Sequence, residues 1–252
     1  MLAFDIDLGV FVAIGFAAQL VDGALGMAYG LICTSFLLAT GTPPAIASAS
    51  VHAAEIVTTG LAGGSHVWHR NIDWRLFRRL APAGILGGIL GAYVLTELPL
   101  AVVRPLVVLY LVTITALITW RIFTGHAARQ IRALGVAPVA GAGGFLDAVG
   151  GGGWGPIVTS TLVARGEVAR FAVGSASLCE FLVTVAISVA FVATLDLASY
   201  WRVILGLVIG GALAAPFAGW FSRVLPQRVL MGAVAVVVGG LAVHGLVRLV
   251  SS

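Results

Sequence analysis

Charge is what this sequence has least of: only 10% of its 252 residues are Asp, Glu, Lys or Arg, against roughly a quarter in a soluble domain. Such a chain cannot clothe a globular surface in polar side chains, which excludes a soluble enzyme or binding module and makes lipid its main solvent. Lysine is missing altogether, so all 14 basic residues are arginine; that bias supports no functional claim. Cysteine is scarce. Cys33 and Cys179 lie far apart inside apolar stretches, so neither a disulfide framework nor a metal cluster fits, and both read as small buried hydrophobes. The N-terminus lacks the positive charge of a signal peptide and carries Asp5 and Asp7 instead, so the first apolar stretch is expected to be retained. No H-E-x-x-H, no G-x-S-x-G and no nucleotide-binding motif occurs, which removes the familiar signs of an intramembrane hydrolase, a resident cofactor or an ATP-driven pump.

What is abundant is apolar: 60% of residues are hydrophobic and the mean hydropathy is +1.09. Apolar stretches recur from Leu8 to Val250, most of them long enough for the roughly 20 residues that a helix needs to cross the hydrocarbon core. The net charge of +4 and pI near 9.7 do not mark a nucleic-acid surface, because the arginines sit in the breaks between these stretches, where they read as topology signals.

Sliding the sequence against itself exposes a repeat. An offset of 125 pairs Asp22 with Asp147, Gly26 with Gly151, Tyr29 with Trp154, Gly30 with Gly155, Thr34 with Thr159, Ser35 with Ser160, Gly41 with Gly166, Ser50 with Ser175, Glu55 with Glu180 and Thr59 with Thr184. After a two-residue insertion, an offset of 127 pairs Trp74-Arg75 with Trp201-Arg202, Gly84 with Gly211, and Pro99 with Pro226. Low complexity can align Gly, Ala and Leu by chance, but not two intramembrane carboxylates per half. The chain therefore divides into a first membrane repeat at 1–120, a polar linker at 121–132 and a second repeat at 133–252, the internal symmetry common in transporters.

Each half holds four hydrophobic elements, at about 8–40, 44–66, 76–97 and 101–120, then 133–164, 168–194, 202–222 and 227–249. The opening element of each is too long for one straight span and is split by a glycine-containing break, at Asp22 to Gly30 or Asp147 to Pro156, into two pieces too short to cross alone. It is either a kinked crossing or a re-entrant hairpin. If it crosses, the arginines divide nine against five; if it returns to its own side, they divide eleven against three, with Arg104, Arg202 and Arg248 as the minority. The positive-inside rule favours the hairpin, which places the linker in the cytoplasm, both termini outside, and the two halves inverted across the membrane. Irregular backbone at membrane depth survives only inside protein or beside water, so the breaks mark an interior site.

Glu55 and Glu180 fall at the centres of equivalent spans, where a carboxylate is costly unless neutralised or paired. Ser48, His52, Glu55 and Thr59 share one helical face, as do Ser177, Glu180, Thr184 and Ser188. Two readings stand for these stripes: proton-coupling groups, or polar glue between helices. Asp22 and Asp147 likewise read either as proton or cation sites or as caps for the half-helices that follow them. Gly150, Gly152 and Gly155 form a literal G-x-G-x-x-G, meaningless as a dinucleotide fingerprint without a preceding strand; Gly151 and Gly153 extend it, and its glycines expose amides or allow close helix approach. Tyr29 and Trp154 wall a cavity or fill space. His52, three residues before Glu55, can modulate its proton affinity, although its repeat partner is Ser177.

The segments Gly144-Phe-Leu-Asp-Ala-Val-Gly-Gly-Gly-Gly-Trp-Gly-Pro156, Ala172-Val-Gly-Ser-Ala-Ser177 and Asn71-Ile-Asp-Trp-Arg75, with Gly87, Gly88 and Gly91, resemble the sulfite exporter TauE/SafE family from about Gly15 to Val247. The resemblance implies a multi-pass permease of the bacterial inner membrane, built from a duplicated domain and moving sulfite, organosulfonates or related anions. It also implies a substrate path along Gly26 to Gly30 and Gly150 to Gly155, with Ser50 and Ser175.

Residues and resemblance together lead us to expect an all-α membrane protein of two inverted repeats. It would be a secondary transporter of a small anion, with no cofactor, membrane lipid around it and no nucleic-acid partner. Asp22, His52, Glu55, Asp147 and Glu180 would couple protons, while Gly26, Tyr29, Gly30, Ser50, Thr59, Gly150 to Gly155, Ser175, Ser177 and Thr184 would line the path. The rival reading is a transporter of protons or metal cations with the four carboxylates as ligands; a structural or assembly protein is the third. Whether copies associate into a homo-oligomer is left open by the sequence.

Overall fold

The computed structural model describes residues 7–25, 27–124, 135–224 and 227–250, and every regular element among them is helical. In chain order these are α1 (Leu8–Leu25), α2 (Tyr29–Ala39), α3 (Pro44–Trp68), α4 (Trp74–Glu97), α5 (Leu100–Thr124), α6 (Val136–Gly150), a π turn (Gly155–Thr159) running into α7 (Ser160–Ala164), α8 (Ala169–Val192), a 3-10 turn (Ala198–Tyr200), α9 (Trp201–Val224) and α10 (Gln227–Val250). Among the described residues six helices are long and apolar enough to cross a membrane: α3, α4, α5, α8, α9 and α10. The pieces of the two opening elements are not. Each stops at its glycine break, and much of the linker falls outside the described residues.

Local chemistry explains the helix ends. Asp73 caps α4, its Oδ1 accepting from the backbone N–H groups of Arg75 at 2.8 Å and Leu76 at 3.2 Å, so the helix begins two residues earlier than hydropathy alone predicts. Pro44 opens α3 at a position where a missing N–H costs nothing. The two outgoing half-helices end alike, on Gly41 and Gly166, each at φ +86°, a left-handed turn that favours glycine. The second break differs from the first by the π turn, absent between Gly30 and Thr34. Pro156 stands where the first half has Leu31, and its ring nitrogen has no proton for the regular ladder.

The packing crosses between the halves: α1 lies along α9, and α6 lies along α4. Both contacts are made by glycines at carbonyl distance. A Cβ at Gly87 would overlap the carbonyl of Gly141, one at Gly144 that of Gly84, and one at Gly210 that of Val12. In lipid, where apolar area drives little helix association, such close approach is a main source of adhesion. Helices α3 and α8 pack together at the centre of the molecule. Gly60 of α3 abuts the Phe181 ring and Gly63 abuts Leu178, so numbers on one helix rise as those on the other fall. Helices α5 and α10 behave likewise, with Val108 against Gly245 and Thr115 against Gly239.

Candidate functional site

The two breaks meet. A Cβ at Gly30 would overlap the carbonyl of Gly151 and stand 2.8 Å from both Cα of Gly152 and Oε1 of Glu55. Thr34 Oγ1 donates to the Gly151 carbonyl at 3.0 Å, tying α2 to the other break. Gly151 itself has φ +68°, a conformation strained for any other residue. Irregular backbone from both opening elements and the central carboxylate of α3 thus converge at one point.

Asp22 and Asp147 serve this point in the same way. Oδ1 of Asp22 accepts from the N–H groups of Ala28 at 2.7 Å and Tyr29 at 3.2 Å; Oδ1 of Asp147 accepts from Gly153 at 2.7 Å and Trp154 at 3.0 Å. Each carboxylate reaches over its own break to the amides that open the next half-helix, where orphan N–H groups and the helix dipole favour negative charge. The capping role is therefore present in both. The aromatic pair is also set symmetrically: the Trp154 ring lies over Gly84 of α4 and the Tyr29 ring over Gly211 of α9, two glycines that the sequence offset equates. Their polar ends differ, since Tyr29 OH donates to the Leu207 carbonyl at 2.8 Å and Trp154 Nε1 to the Ala176 carbonyl at 3.0 Å.

Asymmetry enters at His52. Its Nε2 lies 3.4 Å from Asp147 Oδ2, with His52 fully buried and Asp147 nearly so. The other ring nitrogen, Nδ1, is 2.8 Å from the Ser48 carbonyl, an acceptor only, so Nδ1 carries a proton. Ser48 Oγ donates to the Ala148 carbonyl at the end of α6. Glu55 and Asp147 are buried, whereas Asp22, Ser177 and Glu180 are partly exposed. No arginine among the described side chains is buried, and no three His, Cys, Asp or Glu side chains among the described residues converge as metal ligands.

The sequence pattern of the family described as Sulfite exporter TauE/SafE matches residues 11–244. This chain belongs to that family. It is also 40% identical over 240 residues to the Probable membrane transporter protein YtnM of Bacillus subtilis (strain 168), a similarity covering 92% of this chain and 78% of that protein. No solved structure matches it.

In this TauE/SafE chain the remaining residues singled out from sequence are distributed as follows. Gly26 lies outside the described residues. Gly150 ends α6 with its Cα face against the Tyr110 ring, and Gly155 begins the π turn. Ser50 and Thr184 are fully buried and their hydroxyls have no protein partner, as is true of Ser188 on the same face of α8. Thr59 Oγ1 donates to the Glu55 carbonyl at 2.6 Å, within its own helix. Ser175, in α8, meets the N-cap residue of α4, accepting from Asp73 N–H at 2.8 Å and donating to the Asp73 carbonyl. Two further residues reach the site. Thr34 was visible as a repeat pair with Thr159 but not as a tie between the breaks, and Tyr110, a lone phenol in the apolar α5 whose buried OH has no protein partner, gave only its polarity as a signal.

Proposed function

We propose that this membrane transporter is a bacterial inner-membrane secondary carrier of a small anion, sulfite or an organosulfonate, and that protons held on its interior carboxylates move with the anion. The observation that carries the reading is the contact between His52 and Asp147. With Nδ1 protonated toward Ser48, the lone pair of Nε2 would face a carboxylate oxygen unless one proton sits between them, so the pair holds a proton either as imidazolium and carboxylate or as neutral imidazole and carboxylic acid.

Electrostatics favour the linkage. Glu55, beside the meeting point of the breaks, is close enough to Asp147, Glu180 and Asp22 to feel their charge, and no arginine among the described side chains is buried, so ionised carboxylates repel an entering anion. Protonated, the same groups become hydrogen-bond donors, and the unpartnered Ser50 and Thr184 hydroxyls add further donors. The half-helix amides are held by Asp22 and Asp147, and an anion reaches them when protonation loosens that hold. Alternating access would come from two inverted halves rocking about this point. Supporting the inversion, the pairs α3/α8 and α5/α10, equated by the repeat, each run antiparallel, while each opening element packs on the other half.

A cation carrier is the second reading, favoured by the same excess of interior acids over bases. The absence of a three-ligand cluster among the described residues directs it to protons rather than a metal ion. Proteoliposomes loaded with a pH indicator separate the two. An imposed sulfite or methanesulfonate gradient should move protons in the wild type, and Asp147→Asn or His52→Gln should abolish that movement. Proton flux that is equally fast with no permeant anion present would support the cation carrier instead.

A further inference from the structure

At one end of the molecule, the α2–α3 turn, the start of α5 and the end of α10 border a cavity of about 560 Å³. Its walls are mainly aliphatic, including Leu38, Val107, Leu111 and Leu241. Two ionisable side chains stand among them, with the Thr42 hydroxyl as the other polar group: Arg104, one turn before Val108, and His244, beside the Gly245 that Val108 packs against. Both are exposed, and Arg104 has no ion-pair partner among the described residues.

We propose that this cavity binds one anionic phospholipid of the surrounding membrane, its headgroup phosphate on Arg104 and His244 and an acyl chain along the aliphatic wall. Helices α5 and α10 are both membrane-spanning candidates, so the cavity opens where lipid is the solvent. Arg104 lies in the first turns of its span, headgroup depth rather than mid-bilayer, where a guanidinium can meet phosphate without crossing hydrocarbon. The topology signal does not account for it, because Arg104 belongs to the end with three arginines and not to the end with eleven. A basic group above an apolar slot between helices is the chemistry that selects an anionic headgroup carrying a chain.

Native mass spectrometry of the full chain in mild detergent, with phosphatidylglycerol and phosphatidylcholine offered together, tests this. The wild type should retain one phosphatidylglycerol with a preference of roughly fivefold, the factor matching about 1 kcal/mol for a basic residue at an anionic surface. Arg104→Gln should erase the preference, Arg104→Lys should keep most of it, and Ala101→Trp, which fills the slot, should lose both lipids. Equal retention of the two lipids by the wild type overturns the proposal, as does a preference indifferent to Arg104→Gln. Displacement by inorganic phosphate alone would mean a headgroup-only anion site, and a lipid-free dimer would mean that a second copy covers this face; either result overturns it too.

Discussion

His52 Nε2 stands 3.4 Å from Asp147 Oδ2 while Oδ1 of the same carboxylate accepts from the amides of Gly153 and Trp154. One oxygen of this side chain thus caps the break while the other faces the imidazole. The two roles separate by mutation. Asp147→Asn keeps an oxygen for the amides and should fold with near-normal stability but lose proton-linked flux. Asp147→Ala strands two buried N–H groups, each costing about 1–3 kcal/mol, and should lower the thermal midpoint in detergent as well. Equal stability of the two variants would show that the cap contributes nothing.

Gly151 is held at φ +68° with Thr34 against it. Gly151→Ala pays the left-handed strain of about 1–2 kcal/mol and also displaces Thr34, so a loss of at least about 2–4 °C in thermal midpoint is expected. Thr34→Val, which removes only the bond to the Gly151 carbonyl, should cost less than Gly151→Ala.

Gly84 and Gly211 make room for Trp154 and Tyr29. Overpacking either site should cost about 1–3 kcal/mol, so Gly84→Ala and Gly211→Ala are both expected to destabilise. Gly64, with open space where a Cβ would go, is the control: Gly64→Ala in α3 should be neutral or raise stability by up to about 1 kcal/mol. Thermal unfolding of the three variants side by side checks the sign difference.

Tyr29→Phe removes the hydroxyl that bonds the Leu207 carbonyl of α9 and should destabilise by about 1 kcal/mol. The ring stays over Gly211, so helix packing is retained. Cysteine cross-linking between α1 and α9 should therefore proceed at the wild-type rate.

Much of this was readable from the residues because the strongest constraints were local or repeated. Carboxylates at Asp22 and Asp147, glycines at Gly41 and Gly166, and aromatics at Tyr29 and Trp154 recur at one spacing, and each pair takes equivalent positions. The caps could not be decided from sequence because an ordinary capping Asp serves amides two or three residues on, whereas these reach six and seven residues across a break. The His52 pairing was hidden for a different reason. Its partner lies 95 residues away in the other half, and the repeat equates His52 with a serine, which directs attention elsewhere. The resemblance implies a path role for Ser175; the sequence gives no sign that its hydroxyl also meets the backbone of Asp73, 102 residues away.

The carrier reading depends on both broken elements returning to the side they enter from. Cysteines placed singly at Asp7, Pro43, Gly135 and Glu167, which flank the two elements, can be reacted with an impermeant maleimide on intact cells and on inverted vesicles. Labelling of positions 7 and 43 only from outside, and of 135 and 167 only from inside, is the predicted result. Positions 7 and 43 reacting from opposite faces would mean that the first element crosses the membrane, and the inverted pair of half-helices meeting at Gly30 and Gly151 would have to be abandoned.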